Sequence, residues 1–442
     1  MTFCFISFTI YIYARGRKIN ETQNQKRFFG LRAFHRAAKK RERLKKPSPL
    51  FSALIRVLSI PDMLAAKFTY TKERMELAGK GPYLILMNHS SFIDLKIASR
   101  VLFPKRYFIV TTSDAFIGKA WLMKKIGCIP TQKFTADVGL ARDMLRAVKD
   151  KKTSVLLFPE AGYTFDGTTT TLPPNTGSLL KKMDVPVLTL ITDGAFLRQP
   201  LYNDLRLRKN KVTAHLKCVL TREEIAQKSV EELDEIVNKA FSFDGFKSQQ
   251  QSGLIIDDPE RATGLHRLLY KCPHCKAEEK TVGKGVTLTC ENCGKVYELT
   301  ETGFMQAREG ETEFPHIPDW FAWERACVRE ELENGSYKLD VDVEIGIMAD
   351  YKMLYKVGDG KLMHDTSGFT LTGCEGKLHY TQSPLASYGL NADYYWYEIG
   401  DIISIGDRKR LYYCFPKTRN VVTKARFAAE ELYKMVKASK QK

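Results

Sequence analysis

The sequence lacks a long apolar run near its beginning, and it lacks acidic residues in the same region. The apolar run at residues 3–14 is about a dozen residues long, whereas a membrane-spanning helix needs about 20. The run also has neither a basic leader nor a cleavage site, which argues against a signal peptide. The first fifty residues hold 13 lysines and arginines against only Glu21 and Glu42, so this region is strongly basic.

Much of the net charge of +18 is concentrated in this basic region. Such a region can bind nucleic acid, form a solvated helix face or lie on an anionic bilayer. Its neighbours favour the bilayer, because residues 27–34 mix aromatic and cationic side chains and a second apolar stretch follows at residues 50–60. We therefore predict that residues 1–66 form interfacial helices on membrane lipids at the cytoplasmic face of the cell membrane. A helix that packs on the globular domain is the alternative.

Cysteines are scattered, except for one cluster. Two Cys-x2-Cys pairs lie fourteen residues apart and comprise Cys272, Cys275, Cys290 and Cys293. Four thiolates at this spacing are typical of tetrahedral zinc, and a closed four-sulfur site has no open position for substrate. The pattern predicts a structural Zn2+ in a ribbon at residues 268–300, with a redox dithiol pair as the alternative. The other six cysteines fit a reducing compartment.

Histidine is also scarce, and one histidine has a distinctive setting. Of eight histidines, only His89 has an aspartate, Asp94, five residues further on. An apolar strand-like run at residues 83–87 precedes His89, and Ser90 or Ser91 can cap a helix that begins near Asp94. A histidine oriented by a carboxylate can take the proton of a hydroxyl that attacks an activated acyl group. An incidental histidine beside a helix cap remains the alternative at this point.

Three downstream segments follow in a fixed order and strengthen the interpretation of His89 and Asp94 as a catalytic pair. With Asn88, His89 and Asp94 they resemble the blocks of the glycerophospholipid acyltransferases, the family that includes lysophosphatidic acid acyltransferase. The segments are Gly127-Cys128-Ile129-Pro130-Thr131-Gln132-Lys133, Phe158-Pro159-Glu160-Ala161-Gly162-Tyr163, and Val185-Pro186-Val187.

The resemblance implies an O-acyltransferase with His89 as the base and Asp94 as its orienting group. It also implies a lysolipid acceptor, and acyl-CoA, acyl carrier protein or an acyl phosphate as the donor. The residues implied in substrate binding are Lys133, Phe158, Pro159, Glu160 and Gly162, of which Glu160 contacts the acceptor or holds the site together.

Two departures from the family pattern bear on the acceptor. Lys133 and Tyr163 stand where the family has arginines, and neither can form the planar, two-pronged contact that arginine makes with a phosphate. The acceptor is therefore expected to bind more weakly or to differ from lysophosphatidic acid. A membrane-tethered lipid sensor with little or no activity is the alternative function. Nucleic-acid binding is disfavoured, because the ribbon is only mildly basic.

Strands and helices alternate between residues 67 and 250, which predicts an α/β acyltransferase domain with a mostly parallel sheet. We predict a linker at residues 251–267, then the zinc ribbon, a connector at residues 301–335 and a β-rich domain at residues 336–442. Many short strands followed by one helix give this last domain a resemblance to pleckstrin-homology or GRAM barrels. Its role is either lipid or partner binding, or bracing of the enzyme.

Overall fold

The computed structural model describes residues 44–134, 137–348, 354–407 and 410–440. The predictions for residues 3–14 and 27–34 lie outside the described residues. Within the described ranges, no helix combines the length and the apolar character that crossing a bilayer requires.

A seven-stranded sheet forms the first half of the structure and confirms the predicted mostly parallel α/β architecture. Its strand order is β1-β7-β6-β2-β5-β3-β4, and only the β6–β7 pair is antiparallel. The central strand β2 is buried at every position, as expected for a strand covered on both faces. The strands are β1 (Thr69–Glu73), β2 (Leu84–Met87), β3 (Tyr107–Thr112), β4 (Cys128–Thr131), β5 (Ser154–Leu157), β6 (Val187–Asp193) and β7 (Thr213–Leu220).

Nine helices among the described residues accompany this sheet. They are α1 (Pro49–Ala65), α2 (Asp94–Leu102), α3 (Ala120–Ile126), α4 (Val138–Lys149), α5 (Thr176–Met183), α6 (Ala195–Arg198), α7 (Arg222–Gln227), α8 (Val230–Ala240) and α9 (Gly245–Ser252). The sequence predicted one helix at residues 222–241, but α7 and α8 are separate. Each begins with its own capping box, at Thr221 and at Ser229, and Ser229 therefore starts a new helix.

The cysteine segment folds as a four-stranded antiparallel sheet of β8 (Thr281–Lys284), β9 (Thr287–Cys290), β10 (Val296–Leu299) and β11 (Met305–Ala307). The sheet extends past residue 300, where we predicted the ribbon to end, because β11 pairs with β10. Helix α10 (Ile317–Glu333) follows, and its fully buried Trp320 packs edge-on against Tyr297 of β10. The predicted connector is thus an integral part of the ribbon's core.

The last domain is a seven-stranded antiparallel sheet in the order β15-β14-β13-β12-β18-β17-β16, followed by helix α11 (Val422–Ser439). We did not predict its strand β12. We predicted a strand at residues 351–357, and β13 extends well beyond it. Residues 351–353 of that prediction lie outside the described ranges. The resemblance to a pleckstrin-homology or GRAM barrel stays a prediction. The strands are β12 (Leu339–Met348), β13 (Leu354–Asp365), β14 (Gly368–Gly373), β15 (Leu378–Gln382), β16 (Asn391–Trp396), β17 (Gly400–Gly406) and β18 (Leu411–Pro416).

One apolar core joins the three parts of the chain. Phe165 of the first part, Trp320 beside the ribbon, and Tyr394 and Phe427 of the last domain belong to the same buried cluster. The rings of Phe165 and Tyr394 lie 4.4 Å apart. This shared core places β16 next to the loops that follow the parallel strands of the first sheet.

Candidate active site

The turn after the central strand β2 carries the predicted histidine. Its first residue, Asn88, is fully buried and pins the turn to the end of β6. The Asn88 Oδ1 atom accepts hydrogen bonds from the Thr192 backbone N–H at 2.9 Å and from the Thr192 hydroxyl at 3.1 Å. His89 is thereby fixed at the carboxyl edge of a mostly parallel sheet, which is where ligand sites lie in such folds.

The structure brings the two predicted catalytic side chains into direct contact. The Nδ1 atom of His89 lies 2.9 Å from Oδ2 of Asp94, the first residue of α2. The same carboxylate oxygen accepts the backbone N–H groups of Ser90 at 2.8 Å and Ser91 at 3.1 Å. A carboxylate on Nδ1 leaves Nε2 as the atom that can accept a proton.

The predicted serine cap is wrong in its detail. Ile93 stands at the N-cap position of α2, and no side chain caps the helix there. Instead, the Asp94 carboxylate accepts hydrogen bonds from the backbone N–H groups of Ser90 and Ser91. Asp94 therefore stabilises the turn as well as the imidazole, because its Oδ2 atom contacts both the backbone N–H groups and Nδ1 of His89.

We expect Asp94→Asn to lower kcat for acyl transfer by about 10²- to 10³-fold with little change in KM, since an amide cannot stabilise the imidazolium. Steady-state kinetics of both proteins measure this. Asp150→Asn, at an exposed aspartate that directly follows α4, is the matched control and should retain parental kcat. Equal kcat values for Asp94→Asn and the parent would contradict an orienting role for Asp94.

Glu160 contacts the backbone of His89. It follows β5, is only 1% exposed, and its Oε2 accepts the His89 backbone N–H at 2.9 Å. Its other oxygen accepts the Thr170 backbone N–H at 3.0 Å and the Thr170 hydroxyl at 3.2 Å. Burial raises the pKa of the Glu160 carboxyl to about 7, although these N–H donors act in the opposite direction. Of the two predicted roles, these contacts favour holding the site together over contacting the acceptor.

Two aromatic rings enclose the imidazole of His89. The ring of Phe158 stacks on it with a centroid distance of 4.1 Å, and the ring of Tyr163 lies 4.2 Å from it. The His89 side chain keeps 25% of its surface exposed. Exposed Phe92 packs edge-on against Tyr163, so an apolar surface residue lies one ring away from the histidine. Pro159, which we predicted to bind substrate, is buried next to Glu160.

Lys133 reaches the same edge of the sheet from the loop after β4. Its ammonium nitrogen lies 3.9 Å from the point where a Cβ on Gly162 would stand. The second and third sequence blocks are therefore adjacent in space, as the resemblance implied.

Sequence reasoning missed a set of residues that face Lys133. A small cavity beside Lys133 is lined on one side by residues that follow β3 and β4, and on the other by residues of the last domain, namely Asn391, Leu411 and Tyr413. These residues lie more than 200 positions from Lys133 in the sequence. No local pattern marked them, because only the packing of the two domains brings them together.

The four clustered cysteines converge at one end of the ribbon, as predicted. The sulfur atoms of Cys272 and Cys293 are 3.8 Å apart, those of Cys275 and Cys290 are 3.7 Å apart, and all four lie within 4.8 Å of one another. Tetrahedral zinc with Zn–S bonds of about 2.3 Å requires sulfur separations of about 3.8 Å. The cluster can therefore hold a metal ion, and its geometry fits zinc.

A base-and-carboxylate pair at the carboxyl edge of a mostly parallel sheet is an arrangement that can activate a hydroxyl by general-base catalysis. Residues 67–192 match the family model described as Acyltransferase. The chain therefore carries an acyltransferase domain, and the protein is an acyltransferase.

Solved structures give a further comparison. The chain is similar to the 1-acyl-sn-glycerophosphate (LPA) acyltransferase, PlsC, from Thermotoga maritima, with 18% identity and a TM-score of 0.34. The similarity covers 43% of this chain and 76% of that chain. No curated protein sequence matches the chain.

Proposed function

We propose that this acyltransferase moves a fatty acyl group from an acyl thioester to a hydroxyl of a lysophospholipid or related glycerolipid at a membrane surface. The observation that carries the proposal is the 2.9 Å contact between His89 Nδ1 and Asp94 Oδ2 at the strand edge. It leaves Nε2 as the ring nitrogen that can take the proton of an acceptor hydroxyl, and 25% of the His89 side-chain surface is exposed.

The proposed reaction uses His89 twice. The Nε2 atom takes the proton of the acceptor hydroxyl while the oxygen attacks the thioester carbonyl, and Asp94 stabilises the imidazolium that forms. The tetrahedral intermediate then collapses, the C–S bond breaks, and the departing thiolate takes the proton from Nε2. An ester and a free thiol result, and the histidine returns to its neutral form. An acyl phosphate donor would release phosphate in place of the thiol.

The fixed position of the imidazole supports this mechanism. Glu160 holds the His89 backbone N–H, and the rings of Phe158 and Tyr163 lie against the imidazole. A base that is already oriented loses little freedom on reaching the transition state. We therefore assign Glu160 a positioning role in the proposed mechanism.

Helix α1 supports a membrane-facing orientation. Leu50, Leu54, Val57 and Leu64 recur at helical spacing along one side, and Leu50 and Leu64 are 72% and 74% exposed. Trp121 of the neighbouring helix α3 is 63% exposed and packs edge-on against Phe51. We name these five exposed residues (Leu50, Leu54, Val57, Leu64 and Trp121) the apolar stripe.

The charges beside the apolar stripe suit a bilayer with anionic lipids. Lys124 and Lys125 are exposed on α3, one turn after Trp121. An apolar helix face flanked by cations is the pattern of an interfacial helix. The described residues thus support the same location that the basic N-terminal sequence predicts.

The double variant Leu50→Ser/Leu64→Ser should weaken binding to vesicles that contain anionic lipid by about 30-fold. Each leucine that no longer enters the bilayer removes about 1 kcal/mol of apolar burial. Vesicle co-sedimentation measures the change. Leu207→Ser/Ile255→Ser, at two exposed apolar residues outside α1 and α3, is the control. Equal binding of both double variants and the parent would refute the membrane role of the apolar stripe.

The cysteine cluster is proposed to bind one structural Zn2+. Its four donors close the coordination shell, so the ion would hold the ribbon in its folded form and leave no position for substrate. The support is the match between the sulfur separations and the tetrahedral geometry. The active site lies elsewhere, at the carboxyl edge of the first sheet.

A further inference from the structure

The loop that follows β5 holds the backbone of His89 from both sides. Glu160 accepts the His89 backbone N–H at 2.9 Å, and the backbone N–H of Thr164 donates to the His89 carbonyl oxygen at 2.9 Å. The backbone N–H of Thr170 donates to the Glu160 carboxylate at 3.0 Å and closes the loop. We name residues 158–170 the Glu160 loop. Both polar groups of the His89 backbone are bonded to this one loop, so its position sets the position of the base.

The Glu160 loop also contacts the imidazole of His89. It carries Phe158 and Tyr163, whose ring centroids lie 4.1 and 4.2 Å from that of the imidazole. A catalytic group must be held within about 0.5 Å of its productive geometry by the residues around it. A shift of the Glu160 loop would therefore displace the base from that geometry.

The middle of the Glu160 loop is buried against the last domain. Phe165 directly follows Thr164, is 1% exposed and belongs to the core that the last domain shares. Its ring lies 4.4 Å from the ring of Tyr394 on β16, and the guanidinium carbon of Arg426 on α11 lies 4.3 Å from its centroid. Two side chains of the last domain thus contact the neighbour of the residue that holds the His89 carbonyl.

Both of these side chains are themselves held by hydrogen bonds. The Tyr394 hydroxyl donates to the backbone carbonyl of Arg267 at 2.9 Å and also contacts the Thr423 hydroxyl. The Arg426 Nε atom donates to the buried carboxylate of Glu430 at 2.9 Å. The last domain therefore presents a fixed surface to the Phe165 ring.

Contacts within the acyltransferase domain hold the far end of the Glu160 loop. The Gly167 carbonyl accepts the Gly245 backbone N–H at 2.9 Å, and the Thr169 backbone N–H donates to the Phe243 carbonyl at 3.3 Å. These bonds lie beyond the segment that reaches His89. The ring contacts of Phe165 with the last domain hold that segment instead.

We propose that Tyr394 and Arg426 are positioning residues of this acyltransferase, which hold Phe165 and, through the Glu160 loop, fix His89 in its catalytic position. This inference rests on the proposed function, since that function makes His89 the base. It gives the last domain the role of bracing the active site, one of the roles that the sequence left open.

Steady-state kinetics of the full-length protein, below the melting temperature of every variant, test the positioning role. Tyr394→Leu should lower kcat by about tenfold and change KM by less than about twofold, because a displaced base affects the transition state more than acceptor binding. Tyr394→Phe keeps the ring against Phe165 and loses only the hydroxyl. Its kcat should therefore return to the parental value, although its melting temperature should fall below that of the parent.

Tyr412→Leu is the matched control for the loss of a buried ring. Tyr412 is a 2% exposed tyrosine of β18 in the same domain, and its ring contacts Tyr380. Its replacement should lower the melting temperature about as much as Tyr394→Leu does and leave kcat at the parental value. An equal loss of kcat in both leucine variants would overturn the positioning role, because general destabilisation would then explain it.

A double-variant cycle tests whether Tyr394 acts through Phe165. Phe165→Leu alone should also lower kcat by about tenfold, and adding Tyr394→Leu should lower it by less than about threefold more, since residues that act through one contact are not additive. A double variant whose loss of kcat equals the product of the two single losses would contradict action through Phe165.

Hydrogen exchange separates this inference from the proposed function, because it needs no turnover. Peptides that cover the Glu160 loop should exchange at least about tenfold faster in Tyr394→Leu than in the parent, and at the parental rate in Tyr412→Leu. Faster exchange in Tyr394→Leu without acyl transfer by the parent would refute the proposed function and leave the bracing of His89 standing. Parental kcat or parental exchange of the Glu160 loop in Tyr394→Leu would overturn the inference.

Arg426→Gln decides by the same two measurements if Tyr394→Leu does not fold. It removes the guanidinium from the Phe165 ring, while Glu430 keeps a hydrogen bond from Arg325 at 2.6 Å. The variant should lower kcat and speed exchange of the Glu160 loop in the same direction as Tyr394→Leu. A folded Arg426→Gln protein with parental kcat and parental exchange would then overturn the inference.

Discussion

His89→Ala is expected to lower kcat/KM for acyl transfer by about 10³-fold, while the protein still folds and still binds the acceptor. A positioned base contributes roughly 10² to 10⁴ to the rate, and alanine leaves the acceptor hydroxyl without a base at this edge of the sheet. The imidazole is partly exposed and packs against Phe158 and Tyr163, so its removal should cost little stability.

His379→Ala is the matched control for this experiment. His379 is an exposed histidine of β15 in the last domain, and its loss should leave kcat/KM at the parental value. Kinetics with a labelled acyl thioester would compare the three proteins, and thermal unfolding would verify that each is folded. A His89→Ala protein with parental activity would show that the base lies elsewhere.

Cys290→Ser is expected to have the largest effect on stability. It removes one of four sulfur donors, and loss of a structural metal belongs to the changes that cost more than about 4 kcal/mol. The effect should spread beyond the ribbon, because Tyr297 of β10 and Trp320 of α10 belong to the core shared with the last domain. The parent should contain one zinc per chain and the variant none, by elemental analysis, and the melting temperature should fall.

Cys327→Ser tests whether the loss of stability is specific to the four clustered cysteines. Cys327 is a partly buried cysteine of α10 outside the four-sulfur group. Its replacement should leave the zinc content at one per chain and change the melting temperature far less. A parent purified without zinc, whose stability does not change when zinc is added, would contradict the metal assignment.

Local patterns predicted much of the fold. The buried run of β2 was readable, because an apolar run followed by turn residues is a local signal. The break between α7 and α8 was readable in principle from the capping boxes at Thr221 and Ser229. Strand β12 was readable in principle, because apolar and acidic residues alternate from Leu339 to Ile345. Strand β13 was harder, because most of its residues are exposed or only partly buried.

The contacts of the candidate active site also fall into two groups, those that local sequence predicts and those that only packing creates. The His89–Asp94 contact was predictable, because both residues lie within one turn and its following helix. The bond from the His89 backbone to Glu160 was not, since it links neighbouring strands 71 residues apart. Asn391 lies further still from Lys133 in the sequence, and only the packing of the two domains brings both residues to one cavity. Contacts between distant segments depend on packing, which no short motif encodes.

Product analysis of a single reaction decides whether this protein acylates a lysophospholipid. The full-length protein would be incubated with an isotopically labelled acyl thioester and a lysophospholipid, and the lipids would be identified by mass spectrometry. We expect a diacyl phospholipid with the label in a new ester, formed by the parent and not by His89→Ala. Failure to form labelled phospholipid from acyl-CoA or acyl carrier protein thioesters, with folded and membrane-bound protein, would contradict it.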